Sequence, residues 1–262
     1  METIQSADGT TIAFDRYGDG PALILVVGAF CDRSAPRPLA ELLAPHFTVY
    51  AYDRRGRGSS TDTAPYSVDR EIDDLGAVIT AAGGSAMVFG HSSGAVLTLE
   101  AAARGMPITR LVAYEPPYIV GDSRPRPVGL AARTRELVTA GHRGEAIKLF
   151  FVEGLEVPAE AVTMTGPEWP ALEALAHTLP YDLTICGDQW IPAGRMAKIS
   201  VPAHILGGGD SPAWFQETVR AVAAAVPGAR HTLLEGQTHG AADDVLAPAL
   251  VELFADRGTS VG

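Results

Sequence analysis

The sequence predicts one α/β domain built on a mostly parallel β-sheet, with a helical segment inserted late in the chain. Residues 22–27 form a continuous apolar run, which is typical of a strand buried on both faces of a sheet. Such runs alternate with helical patterns up to residue 117 and again from residue 197, which implies parallel βαβ units. Residues 118–196 break the alternation, because they are rich in Pro and Arg and then apparently helical. A length of 262 residues suits one domain with an insertion.

The elements follow in order from the amino terminus. Residues 3–6 and 10–17 predict a hairpin of two exposed, antiparallel strands around the Asp8-Gly9 turn. Further strands are predicted at 22–27, 47–52, 87–89, 110–114, 203–206 and 230–234. The helices predicted between these strands lie at 38–44, at 66–82, from just after Ser92 to about residue 104, and at 213–226, and a final helix follows residue 240 and ends at about residue 255. The insertion predicts helices near 128–140, 144–153, 158–164 and 168–178, and the tail at 257–262 is predicted to be disordered.

A G-x-S-x-G motif, Gly90 to Gly94, separates an apolar strand from an Ala- and Leu-rich helix. In this motif a serine lies on a strained strand-to-helix turn, and glycine accepts the crowding on either side of it. The helix that begins after Ser92 directs unpaired N–H groups towards any negative charge that forms there. An ordinary Gly/Ser turn is the simpler alternative, but the flanking strand and helix favour Ser92 as a nucleophile.

A nucleophilic serine needs a base and a carboxylate that orients the base. Asp210 and His239 each follow a late predicted strand, which gives the chain order Ser, acid, His. His91, beside the serine, is expected to pack under the turn or shape a pocket. Glu115 ends the strand at 110–114 and is the alternative acid, although we prefer Asp210.

With these motifs in place, the chain resembles the α/β-hydrolase superfamily, particularly its cofactor-free esterase, lactonase and haloperoxidase-like members. The resemblance includes Gly28-Ala29-Phe30, the Asp53-to-Gly58 loop, the serine turn and the late Asp and His loops. It implies an eight-stranded α/β-hydrolase fold with helices on both faces. It also implies a core of residues 1–117 and 197–262, with residues 118–196 as a helical cap between strands six and seven.

The resemblance further implies roles for individual residues. Ser92 would be the nucleophile, His239 the base and Asp210 the acid, and the backbone N–H groups of Phe30 and Ser93 would form an oxyanion hole. Family members often have His-Gly where this chain has Gly28-Ala29, a change that leaves both backbone donors in place. The expected substrate pocket comprises Ala29, Cys31, His91, Tyr118, Trp190 and Trp214.

The expected activity is acyl transfer by a serine hydrolase on an ester or lactone of a small, mainly hydrophobic substrate. Carbon–carbon bond hydrolysis, perhydrolysis, or a cyclisation or elimination with the same triad is the alternative, because a fold does not fix a reaction. A non-enzymatic protein that binds a small ligand in the same pocket is a further alternative.

The charge and composition of the chain limit the kinds of partner that we expect it to bind. A net charge of −11 argues against nucleic acid and anionic membranes, which attract clustered Lys and Arg. The short basic cluster at 54–57 is interpreted as a solvated or locally paired loop, in which Asp53 and Arg57 have a structural role and tie down a loop beneath the edge of the sheet. Cys31 and Cys186 lack metal-ligand spacing, and no motif implies a metal or organic cofactor. Without a signal-peptide pattern or an apolar span, we expect a cytoplasmic monomer or homodimer that acts on a small molecule.

Overall fold

A single twisted sheet runs through the protein, whose computed structural model describes residues 1–255. The strands of that range are β1 (Glu2–Gln5), β2 (Thr11–Tyr17), β3 (Ala22–Val26), β4 (Thr48–Tyr52), β5 (Ala86–His91), β6 (Ile108–Tyr114), β7 (Ala203–Gly208) and β8 (Arg230–Leu234). They form one eight-stranded sheet in the order β1-β2-β4-β3-β5-β6-β7-β8. β2 pairs antiparallel with both β1 and β4, and all the other neighbouring strands pair parallel, so the predicted fold class is confirmed.

Helices cover both faces of the sheet. They are α1 (Arg37–Leu43), α2 (Val68–Ala81), α3 (Ser93–Ala103), α4 (Leu130–Thr139), α5 (Arg143–Leu149), α6 (Trp169–Leu175), α7 (Leu179–Cys186), α8 (Ala193–Met196), α9 (Ala213–Ala225) and α10 (Asp243–Ala255). A π-helical turn (Phe150–Gly154) extends α5, and a 3-10 turn (Ala176–Thr178) joins α6 to α7. None of the helices within residues 1–255 is long and apolar enough to cross a membrane.

The central strands are buried on both faces, as their continuous apolar sequences predict. In β3, Leu23 and Leu25 pack in a cluster with α1 and α10. Ile24 and Val26 point to the opposite face and pack in a cluster with α2, α3 and α9. Because side chains alternate along a strand, two layers of helices can bury every residue of such a strand.

The hairpin prediction needs one correction. β1 is largely exposed, but Ile12, Ala13 and Phe14 of β2 are buried. The reason is that β2 is not an edge strand, since β1 pairs with it on one side and β4 on the other. The predicted tail at 257–262 lies outside the described residues.

The segment between β6 and β7 contains α4 to α8, and all of its residues are described. The helix predicted at 158–164 is wrong: that stretch forms turns, and β-branched Thr residues together with Gly166 and Pro167 disfavour a helix there. The helix α7 was not predicted; its Pro180 lies in the first helical turn, where proline is tolerated. The short α8 was not predicted either. The capping role of this insertion stays a prediction.

Candidate active site

Ser92 occupies a strained turn between β5 and α3, with φ 57 and ψ −124. A left-handed φ is uncommon for a residue with a Cβ, so the surroundings must hold this conformation. The N–H of Ser92 donates to the carbonyl of Tyr114 at 2.9 Å. The glycines of the motif allow close packing, because a Cβ at Gly94 would lie 2.2 Å from the carbonyl oxygen of Val26. A Cβ at Gly90 would lie 2.6 Å from a backbone carbonyl of the same turn.

Glu115 lies beside Ser92 at the carboxyl edge of the sheet. β5 and β6 are paired with His91 opposite Tyr114, so Ser92 and Glu115 are the next residues on two neighbouring strands. Glu115 is fully buried and also has a left-handed φ, of 45. Strained residues cluster at functional sites, and two of them are adjacent here.

The Glu115 carboxylate holds the imidazole of His239. Its Oε2 accepts a hydrogen bond from His239 Nδ1 at 2.7 Å, and its Oε1 accepts one from the backbone N–H of Gly208 at 2.8 Å. Burial raises the pKa of Glu115, but the hydrogen bonds to its carboxylate, above all the one from His239, outweigh burial and hold that pKa below its usual value. The carboxylate is therefore ionised at neutral pH and fixes which imidazole nitrogen carries the proton.

The preference for Asp210 as the partner of the histidine is corrected by this geometry. Asp210 is exposed and meets the loop of His239 through its backbone, whose N–H donates to the carbonyl of Gln237 at 2.9 Å. Glu115 reaches the imidazole because β6 is central in the sheet and lies next to the serine strand, whereas Asp210 follows the end of β7. Glu115, the alternative acid, is therefore the carboxylate that binds His239.

Rings enclose His239 on two sides. Phe215 of α9 stacks on the imidazole, with ring centroids 4.9 Å apart and planes 22° apart. The ring of His91 lies 4.8 Å away, and its Nε2 is 2.8 Å from the carbonyl oxygen of His239. Burial, and then the neighbouring His239, lower the pKa of His91 to about 4, so His91 is neutral at neutral pH. His91 thus packs against the loop of His239.

The loop that carries Phe30 and the helix that begins at Ser93 both lie next to the serine. A Cβ on Gly28 would lie 2.9 Å from the Cβ of Ser92, so the loop after β3 passes directly over the serine. Phe30 in this loop has a left-handed φ of 58. Ser93 is buried and is the first residue of α3, so its N–H has no carbonyl within the helix to bond.

The expected pocket residues are divided by the structure. Cys31 and His91 line a cavity of about 140 Å³ together with Tyr114 and His239. Ala29 packs beside Phe30 and the insertion residues of a small apolar cluster, Ile147, Phe150, Phe151, Trp169, Leu172, Ala176 and Leu179. Trp214 stacks on the ring of Phe215, one ring away from His239.

Tyr118 and Trp190 were expected in the pocket and lie elsewhere. Tyr118 is buried in the main hydrophobic core, where burial and then the charge of Glu100, two turns along α3 from the serine, raise its pKa. Trp190 is half exposed, stacks with the guanidinium of Arg126 and lines a groove on the outside of the insertion. The sequence shows that Tyr118 follows a strand, but it does not show that the chain enters the hydrophobic core after Glu115.

A set of buried charges near the serine was not predicted. The basic cluster was interpreted as a solvated or locally paired loop that Arg57 helps to tie down, but Arg54 and Arg57 are both fully buried. Both donate to the carboxylate of Asp182 on α7, which also accepts a hydrogen bond from the Ser93 hydroxyl at 2.6 Å. Burial raises the pKa of Asp182, and the charges of Arg57 and Arg54 outweigh burial and lower it. Three arginines directly after a buried strand were the available signal.

The sheet order, the strained serine turn and the carboxylate–imidazole pair define an α/β protein with a serine, histidine and acid at the carboxyl edge of its sheet. Among residues 1–255, no group of three His, Cys, Asp or Glu side chains could hold a metal ion. The chain belongs to the alpha/beta hydrolase family, whose family model matches residues 23–251.

Similar proteins agree with this assignment. The crystal structure of an alpha/beta hydrolase from Sphaerobacter thermophilus is 54% identical, with a TM-score of 0.92, and the match covers 97% of this chain and 100% of that one. N-formylmaleamate deformylase of Pseudomonas putida is 36% identical over 152 residues, which are 55% of this chain and 57% of that protein. Pimeloyl-[acyl-carrier protein] methyl ester esterase of Xanthomonas campestris is 34% identical over 114 residues, 42% and 44% of the two chains. The chain thus spans about half the length of the curated relatives it matches.

Proposed function

We propose that the protein is a serine hydrolase that cleaves an ester or lactone bond of a small, mainly hydrophobic substrate by acyl transfer. The observation that carries this proposal is the placement of Ser92 and Glu115 on adjacent strand ends, with His239 bound to Glu115. A serine on a strained turn together with an oriented imidazole is the arrangement that activates a hydroxyl group.

In the proposed reaction, His239 acts as the base. Its Nδ1 donates to Glu115, so its Nε2 carries the free lone pair that accepts the proton of Ser92. The serine oxygen attacks the substrate carbonyl and forms a tetrahedral intermediate, and the imidazolium then protonates the leaving alcohol. Water, deprotonated by the same imidazole, attacks the acyl-serine, and the acid product leaves as the serine is protonated again.

The negative oxygen of the intermediate would rest on the backbone N–H groups of Phe30 and Ser93. Both residues adjoin the serine: one lies in the loop that crosses it and the other is next in the chain. Two such donors aimed at a developing oxyanion are the usual source of stabilisation in acyl transfer, and each contributes about 3 kcal/mol. The positive end of α3 adds to their effect.

The insertion supports a hydrophobic substrate. Phe30 contacts Phe150 and Phe151 of the π-helical turn, with ring centroids 5.6 and 5.7 Å apart. This contact brings an aromatic surface next to the proposed oxyanion loop, which is the wall that an apolar group of the substrate would meet. We propose that residues 118–196 act as a cap in this way, and that the partner is a small molecule in the cytoplasm.

The direct test is labelling of Ser92 with a fluorophosphonate, followed by rates on aryl esters, lactones and diketones. We expect labelling of the wild type, none of Ser92→Ala, and turnover of esters or lactones that Ser92→Ala lacks. Folded wild-type protein that is neither labelled nor active on esters and lactones would refute the proposal. Turnover confined to the diketones would favour carbon–carbon bond hydrolysis by the same residues.

A further inference from the structure

Four charged side chains form a buried charge cluster between the insertion and the edge of the sheet: Arg54, Arg57, Glu71 and Asp182. Arg54 Nε donates to Glu71 Oε1 at 2.5 Å, and Arg54 Nη1 donates to Asp182 Oδ1 at 2.7 Å. Arg57 Nη2 lies 2.8 Å from both carboxylate oxygens of Asp182. Two positive and two negative charges balance, and a buried set of this kind is sensitive to the loss of any one member.

Arg57 connects this cluster to the loop that crosses the serine. Its Nη1 donates to the carbonyl oxygens of Gly28, at 2.5 Å, and Cys31, at 3.1 Å. These two carbonyls lie on either side of Phe30 in the sequence, and Phe30 has a left-handed φ. A non-glycine residue keeps such a conformation only where its surroundings hold it. The guanidinium of Arg57, fixed by Asp182, supplies two of those contacts.

The same carboxylate also reaches the other side of the serine. The hydroxyl of Ser93 donates to Asp182 Oδ1 at 2.6 Å, and Arg54 Nη1 lies 3.2 Å from that hydroxyl oxygen. Arg54 Nη1 donates as well to the carbonyl of Val27, at the start of the loop. Asp182 is therefore tied to both backbone segments that carry the proposed oxyanion donors.

We propose that Asp182, on α7 of the insertion, is a positioning residue that holds the N–H groups of Phe30 and Ser93 in place. It acts through Arg57 on the loop and through its own hydrogen bond on Ser93, without touching the substrate. This inference rests on the proposed function, because it concerns the oxyanion hole of that reaction. It also makes the activity depend on the position of α7, since moving this helix away removes Asp182 from both arginines.

Asp182→Asn is the main variant, and Asp74→Asn is its matched control. Asp74 is equally buried and is held at both oxygens by Arg55 of the same loop, at 2.7 and 2.8 Å. Arg55 also donates to Asp8 and to the carbonyl of Arg70, and neither residue belongs to the loop over the serine or to the serine turn. Both substitutions remove one buried carboxylate that accepts hydrogen bonds from arginine, but only Asp182→Asn disturbs the loop over the serine.

Two rates are measured at a temperature where each variant is folded: kcat on an aryl ester, and phosphonylation of Ser92 by an aryl phosphonate. For Asp182→Asn we expect both rates to fall about 100-fold, the loss that follows removal of one oxyanion donor, with KM little changed. For Asp74→Asn we expect near-wild-type rates, even though its melting temperature falls to a similar extent. Equal rates in the two variants would overturn the inference.

If Asp182→Asn does not fold, Arg57→Lys tests the positioning role of Asp182 instead. Lysine keeps the positive charge for Asp182, but it cannot hold two carbonyls and a carboxylate in a planar fork. We expect the same loss of kcat with a smaller loss of stability, and wild-type kcat in Arg57→Lys would overturn the inference. Failure of the proposed function is distinguishable, because the wild type would then show neither ester hydrolysis nor labelling of Ser92.

Discussion

Replacing Glu115 by glutamine tests the central feature of the site, the carboxylate that orients the histidine. The two oxygens of Glu115 have different partners: Oε1 accepts from the N–H of Gly208 and Oε2 accepts from Nδ1 of His239. The N–H of Gly208 can only donate, so it will keep the amide oxygen of glutamine on its side. The NH₂ group of glutamine then faces the imidazole and needs Nδ1 as an acceptor.

This exchange moves the imidazole proton from Nδ1 to Nε2. An imidazole protonated on Nε2 has no lone pair there to take the proton of Ser92, so the base is lost while the shape of the site is kept. The equivalent change from carboxylate to amide in a serine triad lowers kcat about 10⁴-fold, which corresponds to about 5.5 kcal/mol of barrier. Because Glu115 is fully buried, water cannot take the place of the missing carboxylate as the hydrogen-bond partner of the imidazole.

The assay is steady-state hydrolysis of an aryl ester by Glu115→Gln and Asp210→Asn at neutral pH. We expect a loss of about 10⁴-fold in kcat for the first variant and near-wild-type kcat for the second, whose side chain is exposed. The reasoning is refuted if Glu115→Gln retains activity close to wild type, and most clearly if Asp210→Asn loses it instead.

Three further predictions concern the packing and titration of the site. Gly28→Ala should stay folded but lose about tenfold or more in kcat/KM on the aryl ester, because its Cβ would lie 2.9 Å from the Cβ of Ser92 and must displace it; wild-type kinetics would contradict this. Gly94→Ala, whose Cβ would lie 2.2 Å from the carbonyl oxygen of Val26, should lower the free energy of urea unfolding by about 3 kcal/mol, and a change near zero would show that the turn relaxes. The pKa of His91 is lowered in the fold to about 4 from 6.5, so the unfolded chain binds more protons between these values and stability falls as the pH drops from 6.5 to 4. That interval corresponds to about 3 kcal/mol, and unfolding curves of His91→Gln should show a shallower pH dependence than those of the wild type, whereas identical slopes would exclude His91 as the source.

Local chemistry in the sequence predicted most of the fold. The alternation of apolar strands with helices follows from burial on both faces of a parallel sheet, and that pattern is visible in residues 22–27 without any structure. The serine turn was equally visible, because only glycine fits at Gly90 and Gly94, where a Cβ would meet backbone carbonyls. The helices of the insertion were harder to predict. A helix was predicted at 158–164, where the chain forms turns, and α7 was not predicted, although the proline in its first turn is compatible with a helix.

The choice of acid was decided only by the tertiary structure. Both Glu115 and Asp210 follow a strand and lie between Ser92 and His239 in the chain, so chain order does not separate them. The difference lies in sheet order, since β6 is adjacent to the serine strand, and in the N–H of Gly208 that fixes the carboxylate of Glu115. Neither relation can be derived from spacing along the chain.

The buried charges are a second case in which spacing along the chain could not show the partner of a side chain. An arginine cluster after a strand suggests a solvated loop when it is considered alone, because an unpaired charge is costly to bury. Arg57 is buried nonetheless, because Asp182, 125 residues later in the chain, meets it inside the fold. The sequence by itself therefore determined the sheet and identified Ser92 and His239 as candidate site residues, because these depend on local patterns. The tertiary structure decided which carboxylates serve them, because a charge finds its partner through space and not along the chain.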